Sequence, residues 1–314
     1  MGEITNTPYD DVFRTLLNDC SFLILPVINE VFGELYTGKE EIVFSPNEHF
    51  LNRQRGNETE RITDTSFKVI GKEARKYHWE CQSSTDNSML VRFFEYDTQI
   101  ALDDGEIKGN VLTVTLPHSA VLFLRYHAET PDELKIRLIT PGGEIGYGIK
   151  VMKSQTYTIE EIFEKKLLLL IPFYIFVHEK KLNEYEKDES KRKQLQKEYE
   201  QIKKSLEELV ERGEISEYTR CTLIDMSIKV LEHIAAKYAS VKEGMKTVMG
   251  GKILEYEAKT IKKEGIEEGI QEGIEEGIKG TVSILKKLGI PQQTISLKIQ
   301  EQYNLSPETC EKYL

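Results

Sequence analysis

The sequence predicts an α/β core in the first half of the chain and an all-α carboxy-terminal region after it. Three observations predict this division. Between residues 62 and 152, β-branched and aromatic residues recur in short runs, alternating in polarity or bounded by turn residues, as strands are. Two stretches before and inside that zone, 9–33 and 86–102, instead carry apolar residues at helical spacing. From about Glu179 onward Lys, Glu and Gln dominate with thin apolar spacing, which suits long solvated helices.

In chain order, Tyr9–Gly33 is helical, with Val12, Leu16 and Leu17 on one face and Phe22–Phe32 continuing the pattern. Pro26 is expected to kink or restart this helix. Residues 45–61 are polar and loop-like. Ile62–Ile70 and Lys76–Ser84 read as strands, and the short link with Gly71 makes them a hairpin. Asp86 is a candidate N-cap for a helix running to about Leu102, with Met89, Phe93, Tyr96 and Ile100 on one face. Further strands are expected at Val111–Leu116, Ala120–Tyr126, Leu134–Thr140 and Tyr147–Met152, with a turn at Pro141-Gly142-Gly143. Thr158 and Glu161 form a capping-box pattern for a helix carrying Ile162, Phe163, Leu167 and Leu170.

Residues 179–212 read as a long helix or a helical hairpin, with Leu195, Ile202, Leu206 and Leu209 as its apolar positions. Gly213 interrupts it, and Tyr218–Met249 resumes the helical pattern. The segment GIEEGIQEGIEEGIKG, Gly265–Gly280, repeats every four residues with Ile266, Ile270, Ile274 and Ile278. A four-residue period lags the helical turn by about 40° per repeat, and each Gly costs about 1 kcal/mol relative to Ala. The segment is therefore either a helix that packs on a partner or a flexible tether. In the tail, Val282–Leu288 ends at Gly289, Gln292–Tyr303 forms a second helix, and Ser306-Pro307 starts a third. Both a DNA-binding helix-turn-helix and simple packing of three helices remain open for it. The expected organisation is a core over 1–178, a helical region over 179–250, a repeat helix over 251–280 and a small helical tail over 281–314.

Composition narrows the function classes. A chain of 314 residues can bury two or three domains without disulfide staples. Cys20, Cys81, Cys221 and Cys310 lack zinc spacing and read as free thiols of a reducing compartment. The polar amino terminus is no signal peptide, and the apolar run Leu167–Val177 is too short to span a bilayer, so a cytoplasmic protein without a membrane partner is expected. No GxxxxGK[ST] or GxGxxG motif supports nucleotide chemistry. The net charge of −11 works against a general DNA-binding surface, so any DNA face must be local or assisted by metal ions.

Alternation along the hairpin singles out one constellation. Asp64 shares a strand face with Ile62, Ser66 and Lys68, and Glu80 and Gln82 share a face with His78 and Ser84. Tyr77, Trp79 and Cys81 point the other way, into the core. If the polar faces meet, one carboxylate from each strand lies beside an amide. That donor set suits Mg2+ or another divalent cation, which takes oxygen ligands and keeps several waters. His78 could bind metal or phosphate, or be a structural histidine, and His118 reads as structural. Lys68 is a candidate charge beside Asp64. Arg92 could meet phosphate or pair with Glu95 or Asp86.

Five blocks, TPYDDVFRTLLND, RITDTSFKV, YHWECQSS, DNSMLVRFFEYDTQIAL and TLPHSAVLFLRY, resemble the Rpn-type recombination-promoting nucleases, a transposase-like family of the PD-(D/E)XK nuclease superfamily. The resemblance spans roughly Pro8 to Val177, and the GIEE repeats are similar to the tails of that family. It implies a PD-(D/E)XK-like mixed sheet flanked by helices and a Mg2+-dependent DNA endonuclease that promotes recombination. Asp64, Glu80, Gln82 and Asp10 match the family's catalytic positions, with Asp64 and Glu80 as metal ligands, and Arg92 and Tyr96 match the helix after the motif. Gln82 stands where much of the superfamily has Lys, Tyr9 where the family often has His, and Arg14 where it has Lys. The alternative is a nuclease-fold protein without turnover that binds DNA or protein and oligomerises through its helical half.

Overall fold

The computed structural model describes residues 8–44, 48–51, 59–62, 65–83, 88–250, 273–303, 305 and 310–313, with 48–51 and 59–62 as backbone. Contacts divide the chain into two compact units, Met1–Leu254 and Glu255–Leu314.

The first unit opens with helix α1 (Pro8–Asp19), a 3₁₀ turn at Ser21–Leu23 and helix α2 (Ile24–Phe32). The two helical segments meet at a bend of 110°, placed at Cys20 and Ser21 rather than at Pro26. Pro26 lies in the first turn of α2, where the backbone N–H it lacks would have had no intrahelical partner. Gly33 closes α2 in the left-handed region with φ of 69°.

The strands follow: β1 (Glu41–Phe44), β2 (Glu48–Leu51), β3 (Thr59–Ile62), β4 (Thr65–Ile70) and β5 (Ala74–Gln82). Helix α3 (Met89–Asp103) comes next, then β6 (Glu106–Lys108), β7 (Val111–Thr113), β8 (His118–Phe123), β9 (Glu133–Thr140) and β10 (Gly143–Lys153). Six of them make one mixed sheet in the order β1-β4-β5-β8-β10-β9. The β1–β4, β4–β5 and β9–β10 pairs are antiparallel, while β5–β8 and β8–β10 are parallel. Helix α3 lies between β5 and β8 in the chain, as a parallel pair requires a crossover.

Two expectations fail on the strands. The polar stretch 45–61 is not all loop, because β2 and β3 form an antiparallel ribbon there, and Ile62 ends β3 instead of starting the strand that continues to Ile70. Val111–Leu116 does not join the main sheet. Its strand is short and pairs only with β6, leaving Ile107, Val111 and Leu112 exposed. β-Propensity reports that a residue suits a pleated surface, not which sheet supplies it.

After β10, Thr158 caps helix α4 (Ile159–Glu164) through the expected capping box with Glu161. This helix does not reach Leu170. Lys166 turns to φ of 58°, and the Leu167 N–H returns to the Ile162 carbonyl at 2.8 Å, a Schellman-type closure. The apolar run then forms a 3₁₀-type segment, Leu168–Lys181, in which every residue from Leu168 to Phe176 is buried. Helices α5 (Leu182–Lys187) and α6 (Glu189–Glu211) are separated at Asp188, whose carboxylate accepts from the Ser190 and Lys191 N–H groups. Gly213, at φ of 69°, makes the turn into α7 (Glu217–Ile234), and α8 (Ala239–Met249) follows. Helix α7 packs on α1 and on the 3₁₀ segment, so the helical region up to residue 250 shares a unit with the sheet. Among the described residues, no single helix is long and apolar enough to cross a membrane. All four cysteines are buried thiols outside any disulfide.

In the second unit, residues 273–287 form helix α9 and Gln292–Tyr303 forms α10, with Gly289 at φ of 74° between them. Their core is Ile278, Val282, Ile295, Ile299 and Cys310. The end of the four-residue repeat, 273–280, is thus helical, and its Ile278 packs within the same chain. Residues 265–272 and the Ser306-Pro307 helix start lie outside the described residues.

Candidate functional site

Strand β5 runs through the middle of the sheet with both faces covered. Its side chains alternate, so one face carries Tyr77, Trp79 and Cys81 and the other carries His78, Glu80 and Gln82. The first face is apolar and packs on α2: the Phe32 ring lies 5.4 Å from Tyr77, 6.1 Å from Trp79 and 5.7 Å from His118. This agrees with Trp79 as core and His118 as structural.

Helix α3 covers the second face. Its Met89 and Phe93 pack with Val121, Phe123 and Ile149 of the sheet. Within this apolar surround sits a chain of polar side chains. Asp97, fully buried, takes the Ser119 hydroxyl on Oδ1 at 2.7 Å and the Tyr147 hydroxyl on Oδ2 at 3.0 Å. His78 Nδ1 lies 2.7 Å from the same Asp97 Oδ1. An ionised carboxylate only accepts, so Nδ1 carries the proton and donates. The imidazole is clamped between the rings of Phe93, at 4.9 Å, and Tyr96, at 6.0 Å. Its Nε2 lies 4.0 Å from Glu80 Oε1. Glu80 is 2% exposed, and its Oε2 accepts from Gln82 Nε2 at 2.9 Å and faces the Arg92 guanidinium at 3.5 Å. Burial and the adjacent Asp97 charge push the Tyr147 phenol up, which keeps it a donor.

Glu80 and Gln82 therefore converge, and the Arg92 guanidinium meets Glu80 at 3.5 Å. The β4–β5 register runs from Ile70↔Ala74 through Ser66↔His78 to Thr65↔Trp79. Asp64, the preceding residue in the chain, lies outside the described residues, as do Ser84 and Asp86. Lys68 is drawn to the opposite end of α3, where it and Lys76 reach Asp104 at 2.5 and 2.8 Å and hold that carboxyl below its usual range. Among the described residues, Arg92 is the cation that meets Glu80. Tyr96 is buried against His78, so its ring supports the imidazole. Asp10 and Arg14 sit half-buried in the first two turns of α1, which packs on β5 and α7. Asp10 and Asp11 suit the positive end of that helix dipole. Tyr9 is buried with its ring edge-on to Phe176 at 5.0 Å, a packing role for the position.

Asp97, Ser119 and Tyr147 are absent from the sequence-based site. Asp97 leaves a trace there, because it falls at helical spacing on the apolar face that Phe93 and Ile100 define. A carboxylate in such a stripe must be paired when buried. Ser119 and Tyr147 leave none, since strands bring them to Asp97 from 22 and 50 residues away.

Among the described residues, no group of three or more His, Cys, Asp or Glu side chains is placed to hold a metal ion. In kind, however, the donors suit a divalent cation: a carboxylate with one oxygen fixed by protein donors and the other facing a histidine nitrogen. Comparison of the chain with family models, with curated proteins and with solved structures returns no match.

Proposed function

We propose that the chain is a divalent-cation-dependent DNA endonuclease that hydrolyses phosphodiester bonds, acts in the cytoplasm and promotes recombination. The observation that carries this reading is Glu80, a carboxylate held at 2% exposure on a central strand with an amide and a guanidinium on the same oxygen. Burying a carboxylate costs several kcal/mol before pairing, so such a group in a supported setting is a functional candidate. In the proposal Asp64 supplies the second carboxylate, and Glu80 and Asp64 hold the cation, Mg2+ on oxygen donors alone. When bound, the ion would lower the pKa of a water and offset charge on the phosphodiester. Gln82 keeps Glu80 oriented and can hydrogen-bond water or phosphate, but it brings no positive charge. Arg92, with a side chain 28% exposed, supplies that charge. Asp10 stands as a further acidic group of the site by resemblance.

Purified protein, supercoiled plasmid and Mg2+ or Mn2+ provide the test. Wild type nicks or linearises the plasmid, while Glu80→Ala and Asp64→Ala lose that activity and remain folded at the assay temperature. Clean wild-type protein that shows no metal-dependent cleavage favours the second reading, an interaction protein on the same fold. Two observations favour that alternative: the net charge of −11, and the exposure of Ile284, Leu288 and Leu297 on the second unit. In it the repeat and tail carry a homo-oligomer, and light scattering on full-length protein and on a version ending near Lys263 reads out the difference.

A further inference from the structure

We infer that His78 Nε2 is a ligand of the same divalent cation as Glu80, and that the site therefore takes a first-row transition ion such as Mn2+ in preference to Mg2+. The inference rests on the reading of Glu80 as a metal ligand. Three observations support it. First, Asp97 receives the Nδ1 proton of His78 at 2.7 Å, which leaves the lone pair on Nε2. Metal-bound histidines share this arrangement, donating their other ring N–H to a carboxylate that fixes tautomer and orientation. Second, a carboxylate lies at a span that one cation can bridge. Nε2 and Glu80 Oε1 are 4.0 Å apart, within the span of about 4.2 Å that two metal–ligand bonds of about 2.1 Å can bridge. Third, Ser66, paired across the strands with His78, is 1% exposed, and its Oγ has no hydrogen-bond partner among the described residues. Buried hydroxyls are rarely left so, and a water on a cation beside His78 would satisfy it.

The surroundings fit a ligand better than a packing histidine. A ring needed only to fill space between Phe93 and Tyr96 requires no buried carboxylate with two further donors. Ser119 and Tyr147 also donate to Asp97 and hold it in place. These three are positioning residues that act through His78. Mg2+ and Ca2+ keep to oxygen donors, whereas an imidazole suits Fe, Ni, Cu and Zn, and Mn2+, the weakest binder of that row, accepts it beside a carboxylate.

Mn2+ binding to the full chain, without DNA, tests this. The probe is Mn2+ itself, followed by pulsed EPR on protein with natural-abundance and 15N-labelled histidine, together with Mn2+ titration. Wild type is expected to bind Mn2+ with a directly coupled histidine nitrogen. His78→Ala is expected to lose that coupling and at least 10-fold in affinity, and Asp97→Asn to lose about 10- to 100-fold. Mn2+ bound to wild type without histidine coupling, or undiminished binding by folded His78→Ala, overturns the inference and leaves the carboxylate reading standing. No Mn2+ binding by wild type overturns both. Because the wild-type spectrum is itself decisive, a variant that fails to fold does not block the test.

Discussion

The two faces of β5 are built from neighbouring residues of one strand, and both are largely buried, yet they are stabilised differently. On the α2 face Tyr77, Trp79 and Cys81 meet Phe32, Phe67 and His118, and contact area does most of the stabilising. On the α3 face Asp97 accepts from Tyr147, Ser119 and His78, and Glu80 accepts from Gln82 and Arg92, two hydrogen-bonded clusters that approach to 4.0 Å at His78 Nε2 and Glu80 Oε1. An apolar face tolerates a change of shape if volume is kept. A buried polar chain does not tolerate loss of a member, because each remaining group then keeps its desolvation cost. The contrast teaches that the α3 face carries polar groups a stable core has no need of, which is why the site is proposed there.

The largest stability effect belongs to the apolar face. Trp79→Ala is expected to cost about 3–5 kcal/mol, measured by urea unfolding. Trp79→Phe costs less than Trp79→Ala, since its ring refills part of the volume, and both variants remove an indole N–H that has no hydrogen-bond partner among the described residues. Equal losses for the two variants would show that packed volume is not what holds this face together.

On the polar face, Ser119→Ala removes one of the donors to buried Asp97 and is expected to cost about 1–3 kcal/mol. A change below about 0.5 kcal/mol would mean that the chain of hydrogen bonds does not hold the face together.

The two faces also share a titration. Tyr77 and Tyr147 both have phenols pushed up, Tyr77 by burial and its hydrogen bond with Tyr36, Tyr147 by burial and then by the Asp97 charge. A group raised in the folded state contributes stability that is complete below its unfolded pKa, about 10 for Tyr. That contribution is lost as pH rises above this value, because the unfolded chain then releases the proton more readily. Denaturation midpoints should therefore fall above about pH 10, and Tyr77→Phe and Tyr147→Phe should each flatten the fall. A variant whose slope matches wild type would remove its tyrosine from the account.

Gln82→Lys is expected to have the smallest effect on stability, within about 0.5 kcal/mol, because Gln82 is half-buried at the strand end. Plasmid nicking should be retained or increased, as Lys returns the charge that the superfamily pattern carries. Loss of activity in a folded variant would show that the amide bond to Glu80 matters more than charge.

Elements with local causes were legible in the sequence. The Thr158–Glu161 capping box, the break at Gly213, the link at Gly71 and the helix Gln292–Tyr303 all depend on residues within a few positions of one another. The α1–α2 bend was misplaced at Pro26 because a proline in a first turn and one in a helix interior look alike without knowing where the helix starts. Val111–Thr113 was misassigned because its pairing partner, not its composition, decides its sheet.

The same boundary runs through the site. Alternation along 74–82 suffices to separate Glu80 and Gln82 from Trp79, since a strand of period two allows no other arrangement. It cannot say that Lys68 is taken up by Asp104 while Arg92 reaches Glu80, or that Asp97, Ser119 and Tyr147 converge on His78. Those contacts join β4, β5, α3, β8 and β10 across as many as 50 residues. They follow from strand order and from the seating of α3 on the sheet, which are properties of packing among elements and of none of them alone.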